Sequence, residues 1–168
     1  VSMRIRCGFT PASAACSAAV YLKLWPGTTR SSVSAVVTSI ALDHTDYLGP
    51  TREDIAYEKL GVARAGKALV FGEMNPPSNV DELVTALGFT PLPQGGATGI
   101  FLRRSIDYSA CATDATQWTY SAPDGRKMAL PYPALRGKFQ IHNAATALAA
   151  LYALKEKLPV RAGSIREG

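Results

Sequence analysis

From Val33 onward, apolar and polar residues fall in blocks whose lengths suit alternating strands and helices. Ala35 to Leu42 is an apolar run that stops at a polar crest, Asp43-His-Thr-Asp46, followed by Leu48-Gly-Pro50 and a helix start at Thr51. An open α/β sheet places its site at such a spot, the carboxyl end of a strand. The pattern predicts a strand over 34–42 and a helix over 51–65, with Thr51 as N-cap, Asp54 near the capping-box position and Gly66 as the stop. Lys67 to Gly72 reads as a short buried strand. Asn75-Pro-Pro-Ser78 breaks the chain, and Ser78 is placed to cap a helix over 79–87 closed by Gly88. Strand, helix, strand, helix implies a parallel sheet.

The pattern changes after the Pro- and Gly-rich stretch from Pro91 to Gly99. Residues 100–102 and 106–110 suit short strands. Trp118 to Ser121 and Arg126 to Pro131 flank Pro123-Asp-Gly125 and read as a hairpin. Trp118 and Tyr120 alternate with polar residues, which suits core aromatics on one sheet face better than base stacking. Pro131 and Pro133 put their strand at an edge or its end. The final helix, read as Asn143 to Lys157, carries Ala144, Ala145, Ala147, Ala149 and Ala150, so a neighbouring backbone or ligand can approach it closely.

Composition narrows the class. A chain of 168 residues with 47% hydrophobic and 18% charged residues suits one globular domain. The net charge of +5 invites a nucleic-acid reading, but the basic residues are scattered, with no basic run beyond Arg103-Arg104. Anionic small molecules fit such a balance, and no nucleic-acid partner is expected. Cys7, Cys16 and Cys111 lack metal-site spacing, and their odd number argues against a disulfide framework. No stretch approaches the roughly 18 apolar residues of a membrane span. The expectation is a cytoplasmic protein without a membrane partner.

Two residues stand out chemically. In the helix after the crest, the inward stripe is Ile55, Ala56, Lys59, Leu60, Val62 and Ala63, so a lysine occupies an apolar face. Either Lys59 snorkels, with its ammonium in water, or burial lowers its pKa and frees the amine for chemistry. His44 is either a hydrogen-bonded structural group or, between Asp43 and Asp46, a metal or phosphate contact. At the later helix, Asn143 suits an N-cap, worth about 1 kcal/mol over Ala. Its amide, or that of Gln140, also has the donor–acceptor pair that reads an adenine edge. His142 fits a surface or capping neighbour rather than a ligand.

The stretch Thr38-Ser-Ile-Ala-Leu-Asp-His-Thr-Asp-Tyr-Leu-Gly-Pro-Thr-Arg-Glu-Asp-Ile-Ala-Tyr-Glu-Lys-Leu-Gly resembles the central domain of bacterial folylpolyglutamate synthase/dihydrofolate synthase, of the Mur ligase superfamily. Gly137-Lys-Phe-Gln-Ile-His-Asn-Ala-Ala-Thr-Ala-Leu-Ala-Ala-Leu151 resembles a second block of that family, in the family's order. The resemblance runs from Val33 to Gly168. It implies an α/β fold, the later part of a Mur-ligase-like ATP-binding central domain, with a mostly parallel sheet and a small antiparallel hairpin region. It implies ATP-dependent amide formation through an acyl phosphate, joining L-glutamate to folate or dihydropteroate, with ATP and Mg2+ as cofactors. It assigns His44 to a metal site and Lys59 to a lysine that can be carbamylated, which would turn the amine into an anion beside magnesium. It points to Asn143 as the nucleotide contact, with Gln140 beside it. Asp43 and Asp46 are read as outer residues that orient the metal site.

The first part of the chain departs from this pattern. Residues 1–32 are rich in Ser, Ala and Arg and have no clear period. Arg4 and Arg6 precede small residues as in an export leader, but Pro11 interrupts the run and Ala12 to Val20 is weakly apolar. Where the family has a glutamate in a glycine-rich segment, this chain has Lys23-Leu-Trp-Pro-Gly-Thr-Thr-Arg-Ser-Ser32. No Gly-x-x-x-x-Gly-Lys-[Ser/Thr] occurs anywhere. The expectations are therefore residues 1–32 read in a shifted frame or belonging to a portion of a larger ligase, residues 33–168 as the family-like domain, and no ligase turnover by this chain alone. Two alternatives remain: a portion of a Mur-type ligase acting on peptidoglycan precursors, and a non-catalytic nucleotide-binding module.

Overall fold

The computed structural model describes residues 34–42, 48–91, 99–135, 137 and 139–167. Residues 1–32, expected to be read in a shifted frame or to belong to a portion of a larger ligase, lie outside them. So does the crest, with Asp43, His44 and Asp46.

β1 (Ser34–Val37), β2 (Ala68–Phe71), β3 (Thr90–Pro91) and β4 (Ile100–Arg103) form a parallel sheet in the order β1-β2-β4-β3. Their registers pair Val36 with Val70 and Val70 with Leu102. Parallel strands covered on both faces are apolar throughout rather than alternating, and β1 and β2 are buried at every position. Ala35, Val37, Leu69, Phe71 and Phe101 face α1 (Arg52–Leu60) and α2 (Val80–Ala86) through Ile55, Ala56, Leu60, Val80 and Val84. Val36, Val70 and Leu102 face α3 (Gln140–Ala153) and a second, antiparallel sheet of β5 (Ser109–Ala112), β6 (Gln117–Ser121) and β7 (Lys127–Pro131). A short α4 (Ala162–Glu167) follows. The α/β class, the parallel sheet and the hairpin region agree with the sequence pattern. Trp118 and Tyr120 are core residues, each 1% exposed.

Several boundaries move, for identifiable reasons. The strand expected over 34–42 stops pairing at Val37, where Phe71, its last partner, also ends β2. α1 starts as predicted, with Thr51 and Asp54 forming a reciprocal capping box. It stops at Leu60 rather than 65: the amides of Gly61, Val62 and Ala63 close back on the carbonyls of its last turn, and the Arg64 guanidinium then donates to the carbonyls of Gly61 and Ala63, both at 2.7 Å. Ser78 does not cap α2; its hydroxyl donates to Glu53 Oε1 at 3.1 Å, and Asn79 takes the N-cap position with no side-chain bond to the helix, its Nδ2 donating instead to the Glu53 carbonyl at 3.0 Å. Asn143 is not an N-cap either. α3 begins three residues earlier at Gln140, after Phe139, and the Asn143 amide already donates to the Phe139 carbonyl. Among the described residues no helix is long and apolar enough to cross a membrane.

Candidate functional site

The carboxyl edge of the parallel sheet is built by three close approaches. Leaving β1, Thr38 lies beside Gly72, which follows β2, and the Gly72 amide donates to the Val37 carbonyl at 2.7 Å. α3 comes down on the same point. A Cβ at Gly72 would stand 2.8 Å from Thr146 Oγ1 and 3.1 Å from the Thr38 carbonyl oxygen. The buried Thr146 hydroxyl is bonded to the His142 carbonyl at 2.9 Å and to the Tyr108 hydroxyl at 3.1 Å. Tyr108 in turn donates to the Phe71 carbonyl at 3.1 Å, and burial pushes its hydroxyl up to about 12. The alanines of α3 thus admit the sheet itself, with Ala145 and Ala149 fully buried.

Two of the sequence-derived candidates lie on the helices that reach this edge, one from each face of the sheet. Lys59, in the last turn of α1, is half-buried, and its Nζ donates to the Ser39 carbonyl at 2.7 Å. The long side chain runs along the apolar stripe and ends at the chain segment just beyond β1. About one helical turn from Thr146 toward the helix start, Asn143 is exposed, and its Nδ2 lies 3.4 Å from Gln140 Oε1. The first turn of α3 has no acidic residue and no side-chain cap; the Gln140 backbone amide donates to the Gly137 carbonyl at 3.0 Å and the His142 and Asn143 backbone amides donate to the Phe139 carbonyl at 3.1 and 3.0 Å. Asp43, His44 and Asp46 lie outside the described residues. Among the described residues no three His, Cys, Asp or Glu side chains cluster as metal ligands.

The edge is also cationic. Arg104 donates to the Gly72 carbonyl at 3.3 Å and Arg52 to the Asn75 carbonyl at 2.7 Å. His142 is held below its ordinary pKa, first by burial and then by the Arg104 charge, and its Nδ1 is buried without a hydrogen-bond partner. Its folded pKa is lower than its unfolded one, so the unfolded chain binds more protons as pH falls. Stability is therefore complete above about 6.5 and declines as pH drops through that value. His142→Asn is expected to flatten the melting-temperature profile between pH 6.5 and 5, while leaving the loss at lower pH, where Glu53, Asp114 and Asp124 are the depressed carboxyls. Thermal melts in a pH series check this; an unchanged slope between 6.5 and 5 counts against it.

The sequence reading missed Glu73 and Arg52. Glu73 Oε2 accepts the Ile40 amide at 2.8 Å, and Arg52 Nε donates to the Ile40 carbonyl at 3.1 Å. The available signal was a charged residue two positions past the buried strand β2, after Gly72, a pattern akin to the polar crest after the first apolar run.

No protein-family model matches the chain. It is 40% identical over 134 residues to the dihydrofolate synthase/folylpolyglutamate synthase of Escherichia coli, covering 80% of this chain and 28% of that protein. It is 33% identical over 142 residues to the folylpolyglutamate synthase of Lacticaseibacillus casei, covering 81% of this chain and 31% of that one. Among solved structures, E. coli FolC in complex with ADP superposes with a TM-score of 0.64 at 39% identity, over 81% of this chain and 29% of that one. The bifunctional folylpolyglutamate synthase/dihydrofolate synthase of Yersinia pestis, complexed with AMPPNP and a Mn ion, gives 0.63 at 35% identity, over 81% and 29%. The chain thus spans less than a third of these relatives' length. Its two stacked sheets and flanking helices are the fold of a Mur-ligase-like α/β domain. Within that class, the chain belongs to the folylpolyglutamate synthase/dihydrofolate synthase family.

Proposed function

We propose that this chain forms the base- and metal-facing rim of an ATP-dependent ligase domain that joins L-glutamate to a folate or dihydropteroate. The observation that carries the reading is that Lys59, from one face of the parallel sheet, bonds to Ser39, while α3, from the other face, touches Gly72 beside Thr38 through Thr146, so both helices reach the same carboxyl edge. That edge fits a nucleotide. The paired amides of Asn143 and Gln140 match the amino group and ring nitrogen of adenine, and Arg52 and Arg104 supply positive charge for an anionic ligand. The relatives' structures in complex with ADP, and with AMPPNP and Mn, support the same choice of ATP with Mg2+. Bound Mg-ATP would supply the phosphoryl group that activates the acid substrate's carboxylate for attack by the glutamate amine.

The chain's own residues orient and hold. Asn143 and Gln140 position the base. Lys59, if carbamylated, would present a carboxylate where an amine alone could not serve a hard cation. By the sequence resemblance, His44 would complete the metal side, with Asp43 and Asp46 orienting it. The sequence has no P-loop motif, so these residues account for the base and metal sides rather than a phosphate cradle.

Calorimetric titration of the chain with ADP and Mg2+ tests the reading. Asn143→Ala is expected to weaken ADP binding about tenfold, the scale of one lost bidentate amide contact. Because Asn143 is exposed, the melting temperature should not change. ADP affinity unaffected by this substitution would remove the base site from α3. Phosphate release by the pure chain that requires both folate and glutamate would overturn the expectation of no turnover by this chain alone, and ADP binding without release fits both a ligase portion and the non-catalytic module.

A further inference from the structure

Ser39 and Ile40, which lie between β1 and the crest, are not held by strand pairing. The β1–β2 ladder ends at the Val37–Phe71 pair, yet the Ile40 backbone is bound on both sides. Its N–H donates to Glu73 Oε2 at 2.8 Å, and its carbonyl accepts from Arg52 Nε at 3.1 Å. The two side chains belong to different elements. Glu73 stands just beyond β2, and its other oxygen, Oε1, accepts the Met74 and Asn75 amides at 2.9 and 3.0 Å. Arg52 is the first residue of α1; its Nη2 donates to the Asn75 carbonyl at 2.7 Å and lies 3.8 Å from Glu73 Oε1. The Glu73 side chain is 15% exposed and that of Arg52 36%. Next to Ile40 is Ser39, whose carbonyl receives the Lys59 ammonium.

We propose that Arg52 and Glu73 are positioning residues for Lys59: by gripping Ile40 at both ends of its backbone, they fix the Ser39 carbonyl that anchors the amine. The proposal rests on the reading of Lys59 as a site residue and adds what sets its place. Charged donors and acceptors make the stronger hydrogen bonds, and here they tie the exits of two strands and the start of one helix to a single peptide segment. Lys59 approaches from the far end of α1, whose own start is held by the same Arg52. The helix therefore bridges a fixed point at Ile40 and a lysine that returns to Ser39. A shift of that segment moves the anchor and leaves the rest of the sheet paired.

Competitive labelling of lysines with trace acetic anhydride, read by mass spectrometry on the full 168-residue chain, tests this directly. The rate at Lys59 is taken relative to exposed Lys157, with half-buried Lys67 as a monitor of general loosening. Glu73→Ala and Arg52→Met are each expected to raise the Lys59-to-Lys157 ratio about fivefold, the scale of one lost hydrogen bond. The Lys67 ratio should not move. Glu73→Gln keeps an acceptor for the Ile40 amide but loses the charge facing Arg52, so it should fall between wild type and Glu73→Ala, and it serves if the alanine variant does not fold. An unchanged Lys59 ratio in the variants overturns the proposal, and so does a rise shared equally by Lys67. Carbamylation is followed separately in 13C-bicarbonate, where the amine and CO2 give a carbamate and a proton. If wild-type Lys59 shows no carbamate signal, the metal role assigned to it above fails, while the labelling ratio still decides the clamp.

Discussion

Trp118→Ala is expected to destabilise the chain by about 3–5 kcal/mol, the range for emptying an aromatic site in a packed core. Trp118 is 1% exposed and sits between the antiparallel sheet and the cluster formed by Val36, Val70, Leu102 and α3. Its ring meets Tyr120 edge-on, with centroids 6.4 Å apart and planes at 68°. Its indole N–H donates to the Pro131 carbonyl at 2.9 Å, which fastens the end of edge strand β7. The substitution therefore leaves a void, strips Tyr120 of a partner and frees β7 at once. Against the roughly 5–15 kcal/mol that domains of this kind possess, such a loss takes much of the total. Trp118→Phe keeps most of the ring but not the hydrogen bond, and should cost about 1–2 kcal/mol. Urea denaturation followed by circular dichroism measures both; an alanine variant within 1 kcal/mol of wild type would contradict the joint-core account.

Gly72→Ala should cost about 1–3 kcal/mol through overpacking. The added methyl would meet Thr146 Oγ1 at 2.8 Å, Thr146 Cγ2 at 3.2 Å and the Thr38 carbonyl at 3.1 Å. Neither neighbour can yield cheaply. Thr38 contributes backbone, and Thr146 is 4% exposed with its hydroxyl engaged by His142 and Tyr108. Thr146→Ala removes two of the three clashing atoms, so the double variant should be more stable than the sum of the single losses, by about 0.5–3 kcal/mol of coupling. Any relief that lifts α3 off the sheet also moves Asn143, so Gly72→Ala should weaken ADP binding as well as stability. Equal ADP affinity in a destabilised Gly72→Ala would show that α3 is not positioned by this contact. A double-mutant cycle by denaturation, with calorimetry on the same four proteins, separates the two effects.

The parts of the fold that were legible in the sequence are those written by near neighbours. Thr51 and Asp54 announce the start of α1 because a capping box spans three residues. Pro123-Asp-Gly125 announces the β6–β7 turn. The unbroken apolar runs of β1 and β2 announce strands covered on both faces. The misplaced start of α3 has a local cause too: Asn143 looks like a cap by type, but Phe139 takes the position without offering a side-chain acceptor. The candidate site was legible in part. Lys59 was conspicuous because it breaks an apolar stripe, and the direction of that stripe was enough to aim it at the sheet.

What the chain's own order of residues determined is the α/β class, the succession of elements, and the presence of an amine on an inward face and carboxamides at the foot of an alanine-rich helix. Only the tertiary structure decided that β1 stops at Val37, that Gly72 lets α3 touch the strand ends, and that Glu73 and Arg52 hold Ile40. The reason is the range over which the forces act. Caps, turns and helical stripes are satisfied within about four residues, so they leave a pattern. The Ile40 amide finds its acceptor 33 residues away, and no local rule says which distant side chain will satisfy a backbone group once its strand has run out of partners.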